Sequence, residues 1–421
     1  MTDNLFPYLS QSPTAYHAAT TTAAELTDAG FSELSTRERF PTPIPSRFFL
    51  RTGGALFAID ASGSFVDSGV TILAAHTDSP SLKVKMHRVE TQKGVVVAPT
   101  EVYGGPIRAS WLDQPLGVGG VAYLASGSKR EFRLKESVLI PNIAIHLNRK
   151  LNEGYEYNPQ DHLTAVIGEA PSGDSDSADQ RLLSEIAVEL GTSPEQIAEV
   201  DAYLFDAAEP QKVGLDQAFY LSPRIDNLAG CFANLQAFLS APRERPRMLA
   251  LYNHEEIGSR SAEGALSGVI LSLLERTWNA LALDPEDREV ARNRSLLVSN
   301  DATHAMHPNF ASSYDKHYSC VLNGGPVIKY SASYRYATTG ESAALFARAC
   351  AAAEVPVQRF VTRSDMRSGS TVGPLGWAQT GMQSVDVGMP IWAMHSIRET
   401  GGVRDVELMV RALAAVLSRS E

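Results

Sequence analysis

Five short motifs in the chain carry side chains that bind divalent metal ions or move protons. Three of them follow runs of apolar residues with the length and composition of buried β-strands. In open α/β sheets, sites form in the crevice beyond the carboxyl ends of the strands, so we predict that the motifs converge on one crevice. They are His76-Thr77-Asp78 after Val70–Ala75, Asp226-Asn227, His254-Glu255-Glu256 after Met248–Tyr252, Asp301 with His304 and His307 after Leu296–Ser299, and His395 followed by Arg398-Glu399.

The ligand types in these motifs select the metal. Two imidazoles and three carboxylates, with no thiolate, suit zinc, and manganese or cobalt could substitute. One catalytic zinc keeps three protein ligands and an open position, so this set is large enough for two ions if one carboxylate bridges them. We expect Asp78 to form a hydrogen bond with the second ring nitrogen of His76 and so to fix the tautomer of the imidazole ring. Of the adjacent Glu255 and Glu256, one would be a ligand and the other a proton shuttle.

Each motif also has an ordinary structural role when it is taken alone. A single histidine after a strand is more often a satisfied residue than a ligand, and adjacent glutamates normally belong to a solvated face. Asp226 fits equally well as the N-cap of a helix. The metal-site hypothesis therefore depends on the motifs occurring together. His254, His307 and His317 are interpreted as structural.

The pattern of apolar residues predicts an α/β protein with a β-rich insertion. Strand-like runs and helical stretches alternate near the start of the chain and again after about Leu221. Between about Val89 and Val166, short β-prone pieces are separated by glycines and no long helical period occurs. We therefore predict an α/β domain at 1–88 and 221–421, interrupted by an inserted domain at 89–220. Within the insertion, the alternation over Ile143–Leu147 would fit a strand with one buried face.

Composition limits the class of protein. The chain has 37 Lys and Arg against 48 Asp and Glu, a net charge of −11, which disfavours nucleic acid and anionic membranes as partners. We find no apolar run of about 18 residues and no secretory signal, so no membrane span is predicted. The three cysteines are widely spaced in apolar surroundings, which indicates core residues of a reduced, cytoplasmic protein.

With these residues in view, the sequence resembles the aspartyl aminopeptidase family of dinuclear zinc exopeptidases over nearly its whole length. Each marker is short, but their order and spacing together are specific. The markers are Ser12-Pro13, His76-Thr77-Asp78-Ser79-Pro80, Ile140-Pro141 with Ala144-Ile145-His146-Leu147, Arg224-Ile225-Asp226-Asn227, Asn253-His254-Glu255-Glu256-Ile257-Gly258-Ser259, Asp301 through Pro308, Gly369-Ser370-Thr371-Val372-Gly373-Pro374 and Met394-His395-Ser396-Ile397-Arg398-Glu399.

The resemblance implies a role for each site residue. It implies that His76 and Asp301 hold one metal ion, that Glu256 and His395 hold the other, and that Asp226 bridges both. Glu255 would be the general base. The resemblance also places Lys329 and His304 near the pocket for the substrate side chain.

The resemblance further implies a zinc-exopeptidase-like catalytic domain with a mixed sheet flanked by helices, interrupted by a dimerisation domain. Dimers of this homo-oligomer would build a tetrahedral dodecamer, in which His146 reaches the active site of a neighbouring subunit. Two departures from the family pattern affect the insertion and the pocket wall. Asn142 stands where many relatives have histidine, and Arg367-Ser368 precedes Gly369 where relatives often have Pro-Cys.

Four functions are compatible with these residues. The first is hydrolysis of the N-terminal peptide bond of peptides that begin with Asp or Glu. The second is an aminopeptidase that prefers neutral or apolar N-terminal residues. A metal-dependent deacylase of small molecules would use the same site. A non-enzymatic assembly or cargo-binding protein is disfavoured, because a scaffold has no need for both a metal cluster and a base.

Overall fold

The computed structural model describes residues 1–170 and 178–419, and the chain forms two compact units. The first unit comprises Met1–Asp78, Pro210–Met394 and Glu399–Glu421, and the second comprises Ser79–Glu209 and His395–Arg398. Both main boundaries lie about ten residues before the predicted ones. The reason is strand pairing, because Ser81–Val84 joins a sheet of the second unit and Gln211–Val213 joins a sheet of the first.

The elements are numbered in chain order. The described helices are α1 Thr2–Gln11, α2 Ala15–Asp28, α3 Phe65–Ser68, α4 Pro159–His162, α5 Ala178–Leu190, α6 Ile225–Ser240, α7 Val269–Ala280, α8 Pro285–Asn293, α9 Gly340–Ala352, α10 Val372–Thr380 and α11 Val403–Leu417. The described strands are β1 Ser32–Glu33, β2 Arg47–Thr52, β3 Ala55–Asp60, β4 Thr71–His76, β5 Ser81–Val84, β6 Glu90–Gln92, β7 Val95–Ala98, β8 Thr100–Tyr103, β9 Leu116–Leu124, β10 Lys129–Val138, β11 Ala165–Glu169, β12 Ile197–Asp206, β13 Gln211–Val213, β14 Phe219–Ser222, β15 Arg247–Tyr252, β16 Leu296–Asn300, β17 Thr303–His304, β18 Val327–Tyr330, β19 Gln358–Val361, β20 Gln383–Gly388, β21 Pro390–Trp392 and β22 Glu399–Gly402.

A nine-stranded mixed sheet organises the first unit, in the order β1-β2-β3-β15-β4-β16-β20-β18-β19. Its centre is parallel: β4 pairs in parallel with β15 and β16, and β16 pairs in parallel with β20. The strands β3 and β18 run antiparallel to this centre. The predicted α/β class is confirmed, and the parallel centre brings the carboxyl ends of β4, β15 and β16 to one edge.

Helices cover both faces of this sheet. Along β4, Leu73 and Ala75 belong to a core cluster that includes residues of α6 and α11, whereas Ile72 and Ala74 belong to another cluster that includes residues of α7. Side chains of a strand alternate between the two faces of its sheet, so every residue of this strand is buried. The buried strand ends at His76, which is itself buried.

The second unit is built mainly from antiparallel strands. One sheet has the order β10-β9-β12-β5-β8 and another has the order β11-β7-β6. Their apolar side chains form a core cluster with residues of α5, including Leu182 and Ile186. The segment Ile143–Leu147 forms no strand here, and its apolar side chains are exposed, so the predicted half-buried strand is wrong.

Across residues 1–170 and 178–419, none of the helices combines the length and the apolar character needed to cross a bilayer.

Candidate metal centre and active site

His76 is the last residue of β4, and its side chain is almost completely buried. Its Nδ1 lies 3.0 Å from the main-chain oxygen of Asp78. Because a carbonyl oxygen only accepts hydrogen bonds, this contact places a proton on Nδ1 and leaves Nε2 for another partner. That Nε2 lies 3.5 Å from Oδ1 of Asp226 and 3.5 Å from Oδ2 of Asp301. The ring is therefore oriented as metal-binding histidines usually are.

Asp226 and Asp301 meet His76 from two other elements. Asp226 lies at the start of α6, where its backbone N–H donates to Oε2 of Glu399 at 2.9 Å. Asp301 follows β16 directly. One ligand atom from each of His76, Asp226 and Asp301 lies within 4.8 Å of the others, and all three residues are buried. Two carboxylates that are buried this close together repel each other, so the group is suited to a cation.

The protonation of His76 reflects this excess of negative charge. Burial alone would lower the pKa of His76, but hydrogen bonds with Asp226, Asp301 and Asp78 outweigh it and raise the pKa well above its usual range. A divalent ion would take over the role of that proton, because imidazole ligands bind metals in their neutral form.

Lys329 on β18 fixes Asp301 from behind. Its Nζ donates to the main-chain oxygen of Asp301 at 2.8 Å, to Oδ1 of Asp301 at 3.1 Å and to the main-chain oxygen of Ala302 at 3.2 Å. An ammonium group has three protons, and these three acceptors match them. Lys329 is fully buried, so it is not a solvated charge at the end of a strand. Oδ1 of Asp301 thus faces Lys329, while Oδ2 faces His76.

Glu255 and Glu256 lie in a short 3-10 turn, Glu255–Ile257, that follows β15. The carboxylate of Asp78 holds this turn: its Oδ1 accepts the backbone N–H of Glu255 and its Oδ2 that of Glu256, both at 3.1 Å. The same Oδ1 lies 3.5 Å from Nδ1 of His76, farther than the main-chain oxygen of Asp78. Asp78 therefore links the histidine to both glutamates, a second role that the sequence pattern did not reveal.

The glutamates complete the cluster within the first unit. Ligand atoms of His76, Glu255 and Glu256 lie within 4.8 Å of one another, and those of Asp226 and Glu256 do so as well. Burial raises the pKa of Glu255 to about 8, and its repulsion by Asp301, Asp78 and Asp226 acts in the same direction while His76 opposes it. A pKa near neutrality suits a general base, although a bound cation would lower it.

A hydrogen-bond network that the sequence did not predict supports the turn with the glutamates. Nδ1 of His254 lies 2.7 Å from Oγ of Ser261. The carboxylate of Glu263 accepts a hydrogen bond from the side chain of Asn253 at 2.8 Å and one from the backbone N–H of Gly54 at 2.9 Å. These contacts agree with a structural role for His254. Sequence spacing gave no signal for the contact of Glu263 with Gly54, because the two residues are 209 positions apart.

His395 belongs to the second unit. Its Nδ1 lies 3.1 Å from the main-chain oxygen of Gly105, and its own main-chain oxygen accepts the N–H of Ile107 at 2.9 Å. As with His76, a carbonyl group engages Nδ1, which is the usual arrangement in metal-binding histidines.

The remaining predicted site residues are not in the buried cluster. His304 is exposed on β17, where its ring lies 5.8 Å from that of Phe360. His146 is exposed in a turn of the second unit, between the exposed Ile145 and Leu147. His307 packs against the rings of Phe310 and Trp392, which agrees with a structural role.

Comparisons with known proteins agree with this architecture. The sequence profile of the family described as aminopeptidase I zinc metalloprotease (M18) matches residues 8–416. A probable M18 family aminopeptidase 2 from Pseudomonas aeruginosa (strain UCBPP-PA14) is 39% identical over 431 residues, covering 100% of this chain and 99% of that protein.

Solved structures also match this chain over nearly its full length. A cryo-EM structure of the Ape4 and Nbr1 complex contains a chain that is 31% identical, with a TM-score of 0.94, covering 98% of this chain and 84% of that one. A crystal structure of yeast aminopeptidase 1 (Ape1) is 25% identical, with a TM-score of 0.86, covering 98% of this chain and 95% of that one. The match over nearly the full length shows that this chain belongs to the M18 family of zinc metallo-aminopeptidases.

Proposed function

We propose that this M18 aminopeptidase uses two divalent metal ions to remove N-terminal Asp or Glu from peptides. We propose zinc as the preferred metal. The observation that carries the proposal is the position of Glu255, whose carboxylate lies beside His76 and Glu256 in a cluster of metal-type ligands. A carboxylate that is not needed as a ligand, but lies next to the ligands, is suited to move protons.

The proposed ligand set uses five residues. His76 and Asp301 would hold one ion, Glu256 and His395 would hold the other, and Asp226 would be shared by both. Support for the bridge comes from Asp226, whose ligand atoms lie within 4.8 Å of those of His76 and Asp301 and also of that of Glu256. Support for His395, which lies in the second unit, comes from its family motif and from the carbonyl group that engages its Nδ1. Manganese or cobalt could replace zinc in such a set.

The protein groups then divide the chemistry. When bound, the two ions lower the pKa of the attacking water and polarise the scissile carbonyl group. Glu255 accepts a proton from that water and delivers it to the leaving amine. Asp78 holds the backbone of Glu255 and Glu256 in place, and Lys329 holds the carboxylate of Asp301. Catalytic groups that are held in this way need little rearrangement during the reaction.

The test is a panel of chromogenic amino-acid anilides and N-acylated amino acids, measured with chelator-treated protein reloaded with zinc, manganese or cobalt. We expect metal-dependent cleavage of Asp and Glu anilides at higher kcat/KM than that of Leu or Ala anilides. The alternative, a preference for neutral or apolar residues, is favoured if Leu exceeds Asp. Cleavage of the N-acylated compounds alone would reject the aminopeptidase proposal.

For the acidic preference, we propose that His304 contacts the substrate carboxylate and that Lys329 adds positive charge nearby. Support comes from the solvent exposure of the two side chains, because His304 is exposed and Lys329 is buried. The Nζ of Lys329 also donates to three oxygens of the protein. A charged hydrogen bond contributes about 1.5–3 kcal/mol, so His304→Ala should raise KM for Asp anilide by at least about tenfold and leave Leu anilide almost unchanged. His307→Ala is the matched control, since this ring packs on aromatic neighbours. Equal losses for both substrates in His304→Ala would reject the selector role.

We also propose that the second unit is a dimerisation domain and that dimers assemble into a tetrahedral dodecamer. The segment with His146 supports this, because Ile143, Ile145 and Leu147 are 46%, 43% and 77% exposed, an apolar surface suited to a partner. Among the relatives, S. cerevisiae mApe1 has been solved as a dodecamer. His146 would then donate a hydrogen bond to the developing oxyanion in a neighbouring subunit.

Complementation tests this use of His146. A His146→Ala chain and a Glu255→Gln chain, each nearly inactive alone, are mixed under conditions of verified subunit exchange. If His146 acts in a neighbouring subunit, mixed dimers contain one intact site and activity returns. If exchange restores nothing, His146 acts within its own chain or has no catalytic role.

A cytoplasmic location remains part of the proposal. It is supported by the three cysteines, Cys231, Cys320 and Cys350, which are buried and free.

A further inference from the structure

A cavity of about 510 Å³ lies at the amino edge of the nine-stranded sheet, within the first unit. It is lined by Ser295, directly before β16, and by Ser384 at the start of β20. Three arginines, Arg245, Arg294 and Arg419, line the same cavity. Its volume is in the range of pockets that hold small ligands.

Main-chain oxygens fix the three guanidinium groups. Arg294 Nη1 donates to the oxygens of Val66 and Asp67 at 3.0 and 2.9 Å, and Arg245 Nη2 donates to the oxygen of Ser68 at 3.0 Å. Arg419 Nη1 donates to the hydroxyl group of Thr71 and to a main-chain oxygen of α11. Arg245 Nη1 also donates to the main-chain oxygen of Arg419. Each guanidinium group has five N–H donors, so these bonds orient the group without using all of its donors.

Carboxylates in the described part of the chain do not balance the positive charge of these three arginines. Within residues 1–170 and 178–419, no carboxylate forms an ion pair with Arg245, Arg294 or Arg419. Glu341 is the acidic side chain on the described cavity wall. Burial, together with repulsion by Arg245, lowers the pKa of Arg419 to about 10. Three arginines against one glutamate leave the wall with an excess of positive charge that favours an anion.

Two other features suit a phosphorylated ligand. The helix α9, 13 residues long, begins beside the cavity at Thr339 and Glu341, so its first backbone N–H groups add positive potential. Trp377 is only partly buried and lines the cavity, where it offers an aromatic face. We propose that this cavity binds the phosphate group of a small phosphorylated metabolite, at the edge of the sheet opposite to the metal-type ligands.

The test is isothermal titration of the metal-loaded protein at constant ionic strength, with inorganic phosphate and with AMP as probes. We expect saturable binding that Arg294→Gln weakens by at least about tenfold, because charged hydrogen bonds to phosphate are strong. Glu341→Gln removes the opposing charge and should tighten binding several-fold. The exposed Arg359, on β19 and outside the described cavity wall, gives the control Arg359→Gln, which should leave binding unchanged.

The paired substitutions distinguish phosphate bound in this cavity from phosphate bound at the metal centre. Phosphate held by the metal ions would bind equally well to Arg294→Gln and Glu341→Gln, and that result would overturn the proposal. Absence of saturable binding of either probe to the wild-type protein would also overturn it. Tighter binding of AMP than of phosphate would support a phosphorylated metabolite as the ligand. Binding of AMP that is no tighter than that of phosphate would overturn the metabolite proposal in favour of free phosphate. Since Glu341→Gln is expected to gain affinity, misfolding of a variant cannot produce the predicted pattern.

Discussion

The two edges of the nine-stranded sheet carry opposite charge, although the same parallel strands reach both. At the carboxyl edge, β4 ends in His76 and β16 is followed by Asp301, and these meet Asp226 and the two glutamates. At the amino edge, Arg294 precedes β16 and Arg419 donates to the first residue of β4. Each edge concentrates one sign of charge, so each is suited to a ligand of the opposite sign.

The two edges differ in how tightly their charged groups are held. At the carboxyl edge the groups are buried or half-buried, and other charged or polar groups hold them in place, as Lys329 holds Asp301 and Asp78 holds the glutamate turn. At the amino edge, Arg245, Arg294 and Arg419 bind mostly main-chain oxygens and line an open cavity. The first arrangement suits catalysis, which needs exact geometry, and the second suits reversible binding.

The largest expected effect comes from removing Asp226, the carboxylate that we propose both ions share at the carboxyl edge. Asp226→Ala should lose both ions and lower turnover by about 10³-fold or more, since metal ions contribute several kcal/mol to transition-state stabilisation. Metal analysis after dialysis, together with anilide turnover, checks this. Asp301→Ala is the matched variant and should lose one ion. Near-full metal content in Asp226→Ala would exclude the bridging role.

The next effect tests whether Lys329 acts through Asp301. Lys329→Met keeps the length and the apolar part of the side chain but removes three hydrogen-bond donors. One ion should then bind about 10–100-fold more weakly, which is the usual loss when a group that hydrogen-bonds a metal ligand is removed. Turnover of Asp and Leu anilides should fall together at limiting zinc. At excess zinc, Leu anilide should recover fully, whereas Asp anilide should keep a smaller deficit, because the positive charge of Lys329 near the substrate carboxylate is also lost. Lys83→Met, which breaks a pair with Asp201 in the second unit, should leave metal affinity unchanged. A loss confined to Asp anilide would instead show direct contact of Lys329 with the substrate.

The smallest expected effect is a pH dependence of the stability of the metal-free protein. Burial raises the pKa of Glu255 to about 8, and the carboxylate neighbours of His76 overcome its burial and raise its pKa well above 6.5. Both groups keep a proton in the folded state that the unfolded chain releases at lower pH. Stability contributed by these groups therefore falls as pH rises from about 5 to 8.

Thermal unfolding checks this dependence. The Tm of chelator-treated protein should be at least about 2 °C lower at pH 8 than at pH 5.5, a shift that corresponds to roughly 1 kcal/mol. Metal-loaded protein should lack this loss, because the ions replace the protons. Metal-free Glu255→Gln should lose part of the dependence. An equal pH dependence with and without metal would argue against a cation site among these carboxylates.

The sequence predicted the family, the α/β class and the main strands because these depend on local patterns. The run Met248–Tyr252 became β15, Arg247–Tyr252, and the run Val70–Ala75 became β4, Thr71–His76. Apolar runs of this kind are buried on both faces in a parallel sheet, and they leave a strong signal. Polar residues that follow them directly were therefore expected at one edge.

Features that depend on distant partners could not be predicted in this way. The carboxylate of Asp78 accepts backbone N–H groups of residues that lie 177 and 178 positions away, and Lys329 contacts Asp301 across 28 positions. The alternation over Ile143–Leu147 suggested a strand, but no partner strand pairs with it in the described part of the chain, and its side chains remain exposed. The domain boundaries shifted for a related reason, since pairing of β5 decides which unit it joins.

The central claim is that the carboxyl edge is a two-metal hydrolytic site with Glu255 as its base. Glu255→Gln keeps the size and the backbone hydrogen bond to Asp78 but removes the basic group. The most direct measurement is the metal content and the turnover of Asp anilide on the same preparation of this variant. The account predicts two ions per chain and turnover lowered by at least about 10²-fold. Two bound ions with wild-type turnover would contradict it.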